Sequence, residues 1–206
     1  MLGVARVLKS TGVAAAFFLA TLGANPASAY EAFMTTGGLT SQPIGHYELC
    51  KRMPDECSVR SKNVMPEKMT HDFWQLIVNV NSDVNQKIKP LTDMEIYGVE
   101  EYWAYPDATG VGDCEDYVLL KRRDLMQAGI SAANLLITVV RKPDGEGHAV
   151  LTVRTDKGDF VLDNLVEGVK NWSETDYTYL KRQAANNAGR WVSIEAPTNI
   201  LVGSVH

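Results

Sequence analysis

Gly112-Asp113-Cys114-Glu115-Asp116-Tyr117 is the stretch on which the reading of this chain turns. An aspartate suited to N-capping stands before a cysteine, and the residues that follow predict a helix from Cys114 to about Ala128, with Gly129 as its left-handed terminator. A cysteine at a helix start meets unpaired backbone amides and the positive end of the helix dipole, which favour the thiolate, the nucleophilic form. Its own amide is placed to face a developing oxyanion. Charged neighbours make this a poor position for a buried structural thiol. Gly147-His148-Ala149 and Leu162-Asp163-Asn164 follow, so the chain supplies nucleophile, base and orienter in that order.

Working outward, Leu135–Val140, His148–Val153 and Phe160–Leu162 read as strands separated by Pro143-Asp144-Gly145 and Asp156-Lys157-Gly158. Connections this short imply antiparallel neighbours, and a hairpin of the last two brings His148 and Asp163 together at its far ends. Trp191–Ile194 predicts a further strand after a polar stretch compatible with a helix. Upstream, Phe73, Leu76, Ile77, Val80, Val84 and Ile88 fall at helical spacing, predicting a long amphipathic helix stopped by Pro90. Residues 91–111 form an aromatic loop with Tyr97, Tyr102 and Trp103. Residues 30–65, rich in Gly, Pro, Thr and Ser, predict an extended arm wrapped on the domain. The fold class is α+β, with helices first and an antiparallel sheet after. Lys121 interrupts the apolar stripe of the cysteine helix, which calls for a snorkelling stem or a surface-facing turn. His46, His71 and His206 stand in no comparable company and read as surface residues. No His-Glu-x-x-His or Cys-x-x-Cys spacing is present, which speaks against a catalytic transition metal.

Arg6 and Lys9 precede an apolar run from Gly12 to Gly23, and Ala27-Ser28-Ala29 offers the small-x-small pattern of a cleavage site, so residues 1–29 read as a secretory signal peptide. A membrane anchor would need about 20 apolar residues, and Asn25-Pro26 closes this run earlier. Residues 30–206 are then one exported domain, without stable membrane insertion. Cleavage removes two basic residues and no acidic one, taking the formal charge from −5 to −7. An acidic domain is a poor partner for nucleic acid or anionic lipid. Export into an oxidising compartment suits a disulfide between Cys50 and Cys57, across a loop-like stretch containing Pro54, and leaves Cys114 as the free thiol.

Asp113, Glu115 and Asp116 raise an electrostatic problem, because carboxylates beside a thiol work against its ionisation. A protonated His148, the helix dipole or a bound Ca²⁺ would each offset them. Alternatively, Asp113 and Asp116 form a pair resembling a capping box and Glu115 simply favours the helix start. Spacing alone leaves these open.

At these residues the chain resembles the bacterial transglutaminase-like cysteine proteinases. The likeness runs from the Cys50 and Cys57 segment through Val78-Asn79, Val84-Asn85, Asp93, Tyr97-Gly98, Tyr102-Trp103 and Pro106. It continues through the Gly112–Tyr117 stretch, Val139-Val140-Arg141, Gly147–Leu151 and Val161–Asn164. The resemblance implies a papain-like, transglutaminase-like core in which Cys114, His148 and Asp163 match the catalytic cysteine, histidine and aspartate. It implies calcium ligands at Asp113 and Glu115, with Asp116 a further candidate. It also implies a periplasmic cysteine endopeptidase acting on a periplasmic or surface protein such as an adhesin, under an inner-membrane cyclic-di-GMP receptor. The loop between Pro106 and Gly112 is shorter than expected of the adhesin-releasing members, and substrate choice resides in such loops. Trp103 fits either a cleft wall or the core. Two other functions share the fold: acyl transfer to an amine, which uses the same thioester, and a non-catalytic module that grips a surface protein.

Overall fold

The computed structural model of the chain describes residues 32–195; the signal peptide expected at residues 1–29 and His206 lie outside them. In chain order the elements are β1 (Thr36–Thr40), α1 (Ile44–Arg52), α2 (Pro54–Ser58), α3 (His71–Lys87), β2 (Lys89–Pro90), α4 (Asp93–Tyr97) and β3 (Val111–Gly112). There follow α5 (Cys114–Gln127), β4 (Leu135–Arg141), β5 (Gly147–Thr155), β6 (Gly158–Leu162), β7 (Lys170–Asn171), β8 (Thr178–Ala184) and β9 (Asn187–Ile194). Seven strands form one antiparallel sheet in the order β1-β9-β8-β4-β5-β6-β7, and β2 and β3 form a small parallel pair. No helix among the described residues is long and apolar enough to cross a membrane.

The two long helices lie where the hydrophobic periodicity puts them. Thr70 caps α3 by accepting from the Phe73 amide at 3.1 Å, and Phe73, Ile77, Asn81 and Val84 form its buried face. In α5, Tyr117, Val118, Leu119, Leu120 and Leu125 are all buried, because α3 covers one side and β4 and β5 the other. Each such apolar side chain contributes about 1.5–3 kcal/mol over an exposed position. Gly129 ends the helix with φ of 95°, a conformation that only glycine adopts freely. The main core joins Phe73, Ile77, Val118 and Leu119 to Ala149, Leu151 and Val153 of β5 and to Trp191 of β9. A second cluster contains Met34, Val140, Val150, Val161 and Trp172.

Four expectations are corrected. The arm is not merely extended: β1 pairs with β9 as an edge strand, and α1 and α2 are helices joined by the Cys50–Cys57 disulfide. Arg52 of α1 donates to the Trp103 carbonyl at 2.6 Å, and its guanidinium lies 4.0 Å from the Tyr102 ring centroid. The polar stretch before β9 contains a central strand, β8, rather than a helix. Two of its buried residues are polar: Arg182, paired with Asp159 at 3.1 Å, and Gln183, bonded to Ala188 O and Ile137 N. His46 is buried, wedged edge-on between Trp103 and Trp191 and bonded to Trp191 Nε1, and burial lowers its pKa to about 4. Lys121 neither snorkels nor faces solvent; it is fully buried and its Nζ has no hydrogen-bond partner.

Candidate active site

Cys114 is the first residue of α5, aimed by the sharp turn that the chain makes from β3 into the helix. Gly112 leaves room for the Asp116 carboxyl, because a Cβ there would stand 2.6 Å from Asp116 Oδ2. Cys114 is the free cysteine of the described residues and shares a cleft of about 410 Å³ with His148, Asp113, Asn164, Leu91 and Leu165. His148 is the second residue of β5, paired with Val140 of β4, and the short β5–β6 hairpin returns the chain to Asp163 just beyond the Leu151–Leu162 pair at its open end. The pairing expected from sequence is present: His148 Nε2 lies 2.8 Å from Asp163 Oδ1, with both side chains buried. Nε2 being engaged, Nδ1 is the imidazole nitrogen free for proton exchange. Asn85 of α3 donates to the Asp163 carbonyl at 2.8 Å, tying the loop that carries the carboxylate to the helix layer.

The cysteine side of the cleft is built differently. Cys114 Sγ donates to Glu115 Oε2 at 3.2 Å. Burial, then the charge of Glu115, pushes the thiol pKa well up, against the Ala149 backbone N–H, which favours the thiolate. Glu115 is itself pushed up to about 10 by burial and by the neighbouring Asp113. Asp113 occupies the N-cap position without capping: its side chain turns away and accepts from the Asp93 amide at 3.2 Å. The capping-box alternative therefore does not form.

Asp93, Asp113 and Glu115 each present a carboxylate oxygen, and these oxygens lie within 4.8 Å of one another. Asp93 Oδ2 accepts from Tyr102 N, whereas Asp93 Oδ1 and Asp113 Oδ1 are buried without partners. Among the described residues none of the three forms an ion pair with a lysine or arginine. Hard oxygens that converge, repel one another and remain unsatisfied are a donor set suited to a hard cation. The cluster joins Asp113 and Glu115 to Asp93, which sequence spacing did not assign as a ligand. Asp93 opens α4, 20 residues before Asp113 in the chain, so no local pattern links the two. Asp116 stands apart: Oδ1 accepts from Ala104 N at 2.8 Å, and burial lifts its pKa to about 8. Trp103 belongs to the core, with its indole N–H on Glu101.

Comparison with known proteins accords with this geometry. No curated protein matches the chain. Among solved structures it is similar to LapG of Legionella pneumophila, at 28% identity over 61% of this chain and 71% of that one, with a TM-score of 0.50. The calcium-bound form of that protein gives 26% identity over 64% and 76%, with a TM-score of 0.51. Its EGTA-treated form gives 27% identity over 62% and 69%, with a TM-score of 0.50. The family model of the bacterial transglutaminase-like cysteine proteinases matches residues 36–199, and the chain belongs to that family of proteases.

Proposed function

We propose that the protein is an exported, calcium-dependent cysteine endopeptidase in which Cys114, His148 and Asp163 form the catalytic triad. The observation that carries this reading is the buried 2.8 Å contact of His148 Nε2 with Asp163, opening on the cleft that holds Cys114. His148 Nδ1 takes the thiol proton as Cys114 Sγ attacks a peptide carbonyl, and Asp163 fixes the imidazole tautomer and stabilises the imidazolium. The α5 N-terminal amides face the developing oxyanion. His148 then protonates the leaving amine, and water, deprotonated by the same imidazole, releases the acyl group.

Asp93, Asp113 and Glu115 are the residues that would hold Ca²⁺. When bound, the cation supplies charge neutralisation for three carboxylates crowded beside the nucleophile. One of the similar LapG structures is calcium-bound, and the orphaned oxygens of this chain independently favour such an occupant. A periplasmic site of action rests on the signal-like residues 1–29, and a surface adhesin substrate with control by an inner-membrane receptor rests on the family resemblance.

The test compares new protein N-termini at the cell surface and in the medium between cells carrying the wild type and Cys114→Ser, each with calcium and with chelator. A terminus that needs both Cys114 and calcium is expected. A terminus indifferent to Cys114 would sink the protease assignment, cross-linked products in its place would convert it to acyl transfer, and insensitivity to chelation would remove the metal.

A further inference from the structure

Asp163 is held by more than its histidine. Oδ1, besides meeting His148, accepts from the Leu165 amide at 2.9 Å, and Oδ2 accepts from the Tyr177 hydroxyl at 2.6 Å. Tyr177 directly precedes β8, and its ring stands edge-on to the His148 imidazole, with centroids 5.7 Å apart at 67°. We infer that Tyr177 is a positioning residue of the triad, its hydroxyl locking the carboxylate of Asp163 so that Oδ1 stays in line with His148 Nε2. This rests on the triad reading above.

A carboxylate rotates about its last side-chain bond, and donors on one oxygen alone leave that rotation soft. A hydroxyl on the other oxygen closes it, and a bond to an anion is among the stronger hydrogen bonds. The segment supplying it is anchored, because Thr178 and Tyr179, which directly follow Tyr177, pair with Arg141 and Val140 of β4. The groups facing Asp163 are His148 from β5, Tyr177 and Tyr179 from the β8 segment, and Lys121 from α5. Burial raises the Asp163 pKa, but His148 and the Leu165 and Tyr177 donors outweigh it and hold the carboxyl below its usual range. A cavity of about 210 Å³, lined in part by Val161, Val166 and Tyr177, adjoins the carboxylate. Water can therefore reach Oδ2 when the hydroxyl is removed, which lets the variant fold.

The experiment follows calcium-saturated wild type, Tyr177→Phe and Tyr179→Phe in two ways: the rate of Cys114 alkylation by iodoacetamide against pH, and the His148 imidazole N–H resonance in NMR spectra. Tyr179→Phe is the control, since it removes a hydroxyl bonded to Thr175 two residues along the same segment. Tyr177→Phe is expected to slow alkylation by about ten-fold, the scale of one charge-assisted hydrogen bond. It should also move the acid limb to higher pH and broaden the His148 signal, with Tyr179→Phe close to wild type. A variant carrying 3-fluorotyrosine at position 177, nearly isosteric and a stronger donor, should move the limb to lower pH. Wild-type behaviour in Tyr177→Phe, or equal loss in Tyr179→Phe, overturns the inference while leaving the triad standing. A wild-type Cys114 that reacts no faster than free cysteine overturns both.

Discussion

The two walls of the cleft differ in how far the chain satisfies them by itself. On the His148 side, both oxygens of Asp163 are hydrogen-bonded, its carbonyl is held by Asn85, and its carboxyl pKa is depressed. On the Cys114 side, three carboxylates converge, two oxygens have no partner, and Glu115 is pushed up to about 10. On the proposed triad, the base and its orienter are preorganised by folding, whereas the carboxylates beside the proposed nucleophile are left unsatisfied by the chain's own donors.

The largest effect should come from breaking the satisfied wall. Asp163→Asn keeps the shape but presents an amide to His148 Nε2 and favours the wrong tautomer, so kcat should fall about 10³–10⁴-fold with the fold retained. Steady-state kinetics beside circular dichroism check this, and a loss under ten-fold would mean that Asp163 does not orient the base.

The next effect belongs to the unsatisfied wall. Without metal, the folded-state pKa values of Glu115 and Asp116, about 10 and about 8, lie above the ordinary carboxylate range, so the folded protein binds more protons than the unfolded one. Their contribution to stability is fully present below the usual carboxylate pKa. It is lost as pH rises, up to about 8 for Asp116 and about 10 for Glu115. In chelator, Tm should therefore decline more steeply from acid to alkaline pH in the wild type than in Glu115→Gln, and calcium should flatten the wild-type curve. Asp93→Asn should weaken calcium binding by about 10–100-fold, the range in which even supporting groups of a metal site act. Titration calorimetry giving an unchanged affinity would remove Asp93 from the site.

The same contrast governs what could be read in advance. The His148–Asp163 pairing is legible because a hairpin ties it to local sequence, and the α5 start because its periodicity is local too, even though Asp113 holds the N-cap position without capping. Asp93 and Tyr177 were not legible: each meets the site through tertiary packing, one across the aromatic loop and the other across the sheet. β8 gives no strand signal because two of its buried residues, Arg182 and Gln183, are polar and adjacent, so the apolar–polar alternation of a half-buried strand is absent. The buried His46 was misassigned because two tryptophans enclose it, one from the aromatic loop and one from β9.

Lys121 is the exception on the satisfied wall. It sits two turns along the helix from Cys114, fully buried, with Nζ unbonded and 5.9 Å from the Tyr117 ring centroid. Burial lowers its pKa to about 7, against the opposing pull of Asp163. A depressed amine pKa means that the unfolded chain binds the extra proton. Lys121 therefore costs nothing at pH above the normal lysine range, and its cost grows as pH falls to about 7. Lys121→Met preserves length and apolar contacts, so it should raise stability at neutral pH by about 1–4 kcal/mol, as replacements of buried charge by apolar groups do. The gain should shrink toward alkaline pH. If Lys121 also supports the charge of Asp163, the more stable variant will be the slower enzyme, with its acid limb displaced to higher pH. Chemical denaturation and a pH–rate profile read the two effects separately. A gain in stability with unchanged activity would confine Lys121 to the core, and a loss of stability would show that an internal partner satisfies its amine.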